Sequence, residues 1–188
     1  MPFSQSSQIT AIVGFIEQLQ PRSLLDVGVG MGQYGFMART FLESTHLFVI
    51  EGSQGRQRDR SEWKVRIDGI EGFAGYLTPV HSYSYNNIMI GDARELLATV
   101  PDGHYELVIA IDILEHLDKQ DGIAFLKQLR RICTRAALVS TPKDFIHQEV
   151  DANPFENHRS HWSLTELQAC NFTGLLDNPE SWIATYRA

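Results

Sequence analysis

The sequence predicts a doubly wound α/β fold built on a mostly parallel sheet, and three observations carry that expectation. A short apolar run, Leu24-Leu25-Asp26-Val27, breaks into the glycines Gly28, Gly30 and Gly32 and then into a helical pattern, which reads as a strand, a tight turn and a helix start. Strand-like and helix-like segments alternate from there to about residue 140, the order that parallel strands with crossover helices require. One of those segments, Tyr105–Ile111, is almost wholly apolar, as a central strand covered on both faces has to be.

Composition agrees with one globular domain: 188 residues, 43% hydrophobic and 21% charged, are enough for a proper core. A net charge of -7 argues against nucleic acid or an anionic membrane as a main partner. Cys133 and Cys170 stand far apart with no C-x-x-C pair, so reduced, buried thiols are expected. No basic region with an apolar run opens the chain, and no apolar stretch reaches the roughly 18 residues of a spanning helix. A cytoplasmic protein is expected.

In chain order, Ser6 or Ser7 is expected to cap a helix whose apolar face is Ile9, Ile12, Val13, Ile16 and Leu19, ending before Pro21. The first strand is Ser23–Val27. The helix after the glycines carries Tyr34, Met37, Ala38, Phe41 and Leu42 at helical spacing, with Tyr34 at the mouth of the turn. Residues 43–63 read as an insertion: 46–50 is strand-like, whereas 52–62 is polar and arginine-rich.

The second strand of the sheet has two candidates, 47–50 ending in Glu51 and 65–70 ending in Glu71. Glu51 better fits the roughly 20 residues that usually separate a glycine turn from a ribose-binding acid. Glu71, however, stands 21 residues before Asp92 (71 to 92), about one strand-helix-strand unit, and the polar stretch near residue 57 looks more like an insertion than the stretch after 71. Glu71 is therefore favoured. Residues 74–85 hold Pro79, Tyr76, Tyr83 and Tyr85, which suggests a short helix and a loop beside a ligand.

The third strand is Asn87–Ile90, followed by Gly91-Asp92-Ala93 and a helix through Leu96, Leu97 and Val100. The fourth, Tyr105–Ile111, ends at Asp112. A helix burying Phe125, Leu126, Leu129, Ile132 and Cys133 leads to a fifth strand at 136–140. The polar and aromatic stretch 144–161 is long for a connection, as loops over a functional site often are. Ser163-Leu-Thr-Glu166 is a capping box for a short helix, and 172–176 with 182–186 read as an antiparallel hairpin on one sheet edge.

Four of these elements, Leu25-Asp26-Val27-Gly28-Val29-Gly30-Met31-Gly32, Gly69-Ile70-Glu71, Gly91-Asp92-Ala93 and Ile111-Asp112-Ile113-Leu114-Glu115-His116-Leu117, together resemble the ordered signature of class I S-adenosylmethionine-dependent methyltransferases over about residues 20–142. The stretch before Glu71 is similar to a subgroup with an extended connection ahead of the second strand. The resemblance implies a Rossmann-like seven-stranded sheet with an antiparallel C-terminal hairpin, and S-adenosyl-L-methionine as cofactor. By position it implies that the turn Gly28, Val29, Gly30 and Gly32 holds the methionine part, with Asp26, Tyr34 and Gly35 also in the cofactor set. It gives Glu71, beside Gly72, the ribose hydroxyls, and Asp92, beside Ala93, the adenine amine. Asp112 and Ile113 complete the cofactor set.

Methyl transfer from a sulfonium needs donor and acceptor held in line, and a base only where the acceptor must lose a proton. His116 follows the fourth strand directly and is the candidate general base; capping its own loop or bonding Glu115 is the equally weighted alternative. In residues 157–162, His158, Arg159 and Trp162 are candidates to clamp an acceptor, since a loop there lies over the carboxyl ends of the strands. No metal is expected, because the two histidines His158 and His161 have no further ligand at a convincing spacing. The expected partners are a small-molecule acceptor and a second copy of the chain in a homodimer. Rival readings are aminopropyl transfer, an NAD-dependent enzyme, and a non-catalytic domain that binds the cofactor.

Overall fold

Leu24, Leu25 and Val27 are fully buried in strand β1 (Ser23–Val27), and this alternation of apolar side chains to both faces lets one strand seed two core layers. The computed structural model describes residues 4–44 and 46–188. Its main sheet adds β4 (Arg66–Glu71), β5 (Asn87–Ile90), β6 (Tyr105–Ile111), β7 (Cys133–Pro142), β8 (Gly174–Leu176) and β9 (Ser181–Arg187), after a separate hairpin of β2 (Phe48–Glu51) and β3 (Gln54–Gln57). The order across the seven-stranded sheet is β5-β4-β1-β6-β7-β9-β8. The first five in this order are parallel, β9 runs antiparallel to both neighbours, and the expected C-terminal hairpin is present.

Helices α1 (Ile9–Leu19), α2 (Gln33–Leu42), α3 (Pro79–Ser84), α4 (Ala93–Thr99), α5 (Lys119–Ile132) and α6 (Leu164–Ala169) complete the chain. Ile12 and Ile16 of α1 and Ala38 of α2 pack with Leu24, Ile67, Leu107 and Ile109 on one face. Leu97 of α4 and Phe125, Leu126 and Leu129 of α5 pack with Leu25, Val27, Ile70 and Val108 on the other. Both faces of the parallel strands are thus covered, the condition that made Tyr105–Ile111 legible as apolar. No helix among the described residues is long and apolar enough to cross a membrane.

Three local expectations are corrected, and the choice of second strand holds. Ser6 and Ser7 do not cap α1; they lie in a 3-10 turn (Ser6–Gln8), and the Ser7 hydroxyl donates to Glu180 across 2.6 Å. Phe41 is exposed, while Arg39 occupies the buried stripe of α2, because that helix packs on polar backbone ends as well as on apolar side chains. Residues 48–51 form a strand apart from the main sheet, as expected of an insertion: it pairs only with β3 and leaves Glu51 exposed. The strand beside β1 is β4, whose last residue is Glu71. Lastly, Cys133 is buried but Cys170 only half-buried; both are free thiols.

The polar hairpin is anchored rather than loose at its base. Fully buried Arg39 donates to the carbonyls of Ser84 (2.9 Å) and Val65 (2.6 Å) and to Asn86 Oδ1 (2.8 Å), pairs with Glu43 at 3.3 Å, and stacks 3.8 Å from the Trp63 ring. Glu43 accepts in turn from the backbone N–H groups of Lys64 and Val65. One guanidinium therefore joins α2, α3 and the start of β4.

Candidate functional site

Parallel β1, β4 and β6 end on the same side of the sheet, and a cavity of about 360 Å³ opens over those ends, within the size range of small-molecule sites. The glycine turn forms its floor. Gly28 and Gly30 have φ of 80° and 52°, and a Cβ on Gly28 would stand 2.1 Å from Ile113 Cδ1, so only glycine fits there. The Gly28 and Val29 N–H groups donate to the Ile70 carbonyl at 2.8 and 3.1 Å, which pins the turn to β4.

Glu71 completes this floor. Its Oε2 accepts from Gly30 N–H at 2.9 Å and its Oε1 from Phe73 N–H at 2.9 Å, with 6% of the residue exposed. Burial raises its pKa, against the lowering effect of those two N–H donors. Each carboxylate oxygen keeps a lone pair for a further donor. Asp92 caps α4 by accepting from Arg94 N–H at 2.9 Å, and the Arg94 guanidinium beside it holds its carboxyl below the usual range. Asp112 adopts a φ of 54° and accepts from Gln8 Nε2 (2.9 Å) and Ser140 Oγ (2.7 Å). A non-glycine residue in that conformation stores strain of the kind found at functional sites.

Gly28, Val29, Gly30, Tyr34, Glu71, Gly72, Asp92, Ala93, Asp112 and Ile113 from the expected cofactor set all line the cavity. Asp26, Gly32 and Gly35 do not. Asp26 is buried and accepts from the Tyr85 hydroxyl at 2.6 Å, and a Cβ on Gly35 would meet that same Tyr85 ring at 2.0 Å. Both residues make room for, and bind, a core tyrosine; burial pushes the Asp26 carboxyl up to about 7. Gly32 caps α2 with φ 82° and faces His81.

The far wall comes from two connections. The turn after β6 supplies Glu115 and His116, and the stretch after β7 supplies Gln148, Phe155, Glu156 and His158. Backbone N–H groups of Arg159 and Ser160 donate to the Glu115 carbonyl at 2.7 and 3.1 Å, which ties the second connection to the first. Asn153 donates to the Tyr76 hydroxyl (3.0 Å), Tyr76 donates to Glu156 (3.1 Å), and Phe155 lies against Gly72. Burial holds His116 below the ordinary histidine value, while the Asn157 carbonyl opposes that shift.

Of the three expected clamp residues, His158 alone lines the cavity. Arg159 is exposed and outside it. Trp162 is 1% exposed: its indole N–H donates to Ser160 Oγ at 2.9 Å and to the Leu114 carbonyl at 3.2 Å, and it packs against Gly122 of α5. It is a core residue, because four positions past His158 the chain has turned inward to begin α6. Tyr76 was legible only as a residue in a loop beside a ligand; Gln8, Asn153 and Phe155 carried no sequence signal, since none lies on a periodic face.

No protein-family model matches the chain, and no curated protein matches it in sequence. Solved structures do match. A S-adenosylmethionine-dependent methyltransferase from Archaeoglobus fulgidus is 14% identical, with a TM-score of 0.62 over 97% of this chain and 95% of that one. The fold is that of the class I methyltransferases. The DhpI complex with S-adenosylhomocysteine (14% identical, TM-score 0.64, 96% and 83% covered) shares it. So does magnesium protoporphyrin IX methyltransferase from Synechocystis with bound S-adenosylmethionine (16% identical, TM-score 0.57, 96% and 78% covered). Within this methyltransferase fold, the glycine turn and the ends of β4 and β5 meet in one cavity.

Proposed function

We propose that the chain is a S-adenosylmethionine-dependent methyltransferase acting on a small acceptor. The observation that carries this reading is the convergence of three elements on one cavity: the Gly28–Gly30 backbone, the Glu71 carboxylate and the Asp92 cap. In this reading Glu71 takes the two ribose hydroxyls on its two free lone pairs, as charge-assisted hydrogen bonds worth about 1.5–3 kcal/mol each. Asp92, kept ionised by Arg94, accepts from the adenine amine. The glycine turn leaves space for the methionine part, and Tyr34, 5% exposed, closes its side.

The acceptor then lies against Glu115, His116 and His158, at the end of the cavity away from β5. Transfer is an in-line displacement: the acceptor atom bonds to the methyl carbon as the carbon–sulfur bond breaks and its electron pair returns to sulfur. The enzyme's work is positioning and exclusion of water. His116 is the group placed to deal with an acceptor proton. Transfer of a labelled methyl group from S-adenosylmethionine, screened over small hydroxyl and amine acceptors, tests the reading. His116→Ala is expected to lower turnover about 10²–10⁴-fold with S-adenosylhomocysteine affinity unchanged. An equal loss of cofactor affinity, with turnover intact, would contradict that role.

A further inference from the structure

Glu115, His116 and His158 each bring a ligand atom within 4.8 Å of the others, at the acceptor end of the cavity. They come from two segments 42 residues apart (116 to 158), which the Arg159 and Ser160 N–H bonds to the Glu115 carbonyl hold together. Glu115 is 4% exposed, and its Oε2 is buried outside hydrogen-bond geometry with any described residue, although the Thr141 hydroxyl is close enough to favour its charged form. No lysine or arginine is among the described residues that line the cavity, so no side-chain cation offsets this carboxylate.

Both imidazoles are already oriented from behind. His116 Nδ1 faces the Asn157 carbonyl at 3.3 Å and His158 Nδ1 faces the Ile146 carbonyl at 2.5 Å. A ring that donates Nδ1–H to a carbonyl presents the Nε2 lone pair, the arrangement by which proteins fix metal-ligating histidines. Two neutral imidazoles and one carboxylate suit a first-row divalent ion such as Zn²⁺, Fe²⁺ or Mn²⁺ and leave coordination positions open. Ligands of one such ion stand about 3–3.5 Å apart when each bond is about 2.1 Å, so side-chain rotations close the set.

We propose that Glu115, His116 and His158 form a binding site for a divalent transition-metal ion whose open position takes the acceptor's oxygen or nitrogen. This rests on the methyl-transfer reading for its acceptor but not for its ion. It also revises the expectation of no metal, which rested on the spacing of ligands around His158 and His161. His161, paired with it there, is exposed and bonds the Lys143 carbonyl at 2.7 Å. An ion held at the site would act as a Lewis acid, making a coordinated acceptor hydroxyl more acidic, so that its proton would leave to water more readily and the oxygen would be the better nucleophile for the methyl group. With the ion bound, His116 acts on the acceptor proton through the ion it holds, so the turnover loss expected of His116→Ala goes with a loss of Zn²⁺.

The test is calorimetric titration of the chelator-treated full chain with ZnCl₂ and with MnCl₂, beside a titration of the same preparation with S-adenosylhomocysteine. The expected result is one Zn²⁺ per chain at micromolar affinity or tighter, with Mn²⁺ weaker, in the usual order of these ions. His158→Ala and Glu115→Gln should each weaken Zn²⁺ about 10-fold or more, with S-adenosylhomocysteine affinity unchanged, whereas His161→Ala should bind Zn²⁺ as the parent does. No Zn²⁺ binding below about 1 mM, or equal binding by the parent and His158→Ala, overturns the site. Zn²⁺ binding without S-adenosylhomocysteine binding keeps the site and sinks the methyl-transfer reading instead.

Discussion

Asp26 stands two residues before the first glycine of the turn, yet its carboxyl serves the core by accepting from Tyr85 in a fully buried position. Because burial raises its folded value from 3.8 to about 7, the folded state binds the proton more tightly than the unfolded chain does. Its contribution is therefore most favourable below pH 4, and stability is lost as pH rises towards 7 and then levels off. Asp26→Asn keeps an acceptor for Tyr85 and removes the titration. Between pH 5 and pH 7 the parent should lose about 2–3 kcal/mol relative to Asp26→Asn in denaturant unfolding. A difference that does not change with pH would refute this account of the residue. A side chain's neighbours in space, such as Tyr85 59 positions later, are what sequence spacing fails to show at this scale.

At the scale of elements, strands were the most legible part: Ser23–Val27, Asn87–Ile90 and Tyr105–Ile111 lie where their apolar runs put them. The 43–63 region was harder, because its anchor is made of charged side chains that ordinarily mark a surface. Buried Arg39 and Glu43 carry that anchor, each with 0% side-chain exposure. Arg39→Ala leaves the Glu43 carboxylate buried without its cation and strips donors from Val65, Ser84 and Asn86. Breaking such a pair from one side costs about 3–5 kcal/mol, which denaturant unfolding of the variant should read directly. A loss under 1 kcal/mol would mean the hairpin base is held by other contacts. The capping box at Ser163, by contrast, was readable and is formed, since it is a local pattern: Ser163 N–H donates to Glu166 Oε2 at 2.8 Å.

Over the whole molecule, the parallel order of β4, β1 and β6 brings the acid at the end of one strand beside the glycine turn after another, which is why this half of the cavity was legible. Glu71 could be chosen over Glu51 from spacing, and the sheet places Glu71 in the cavity and Glu51 on the exposed hairpin. The wall made by the turn after β6 and the stretch after β7 was not legible to the same degree. It depends on a loop without periodicity, in which His158 faces the cavity and Trp162, four residues on, is core.

The central claim, that this cavity holds S-adenosylmethionine through Glu71, is tested most directly by calorimetric titration with S-adenosylhomocysteine, with NAD as the competing ligand. One S-adenosylhomocysteine site per chain and no NAD binding are expected. Glu71→Ala, where two hydroxyl partners disappear, should lose about 2–4 kcal/mol of that affinity, and Glu51→Ala should lose none. Tight binding of NAD without S-adenosylhomocysteine, or a loss confined to Glu51→Ala, would contradict it.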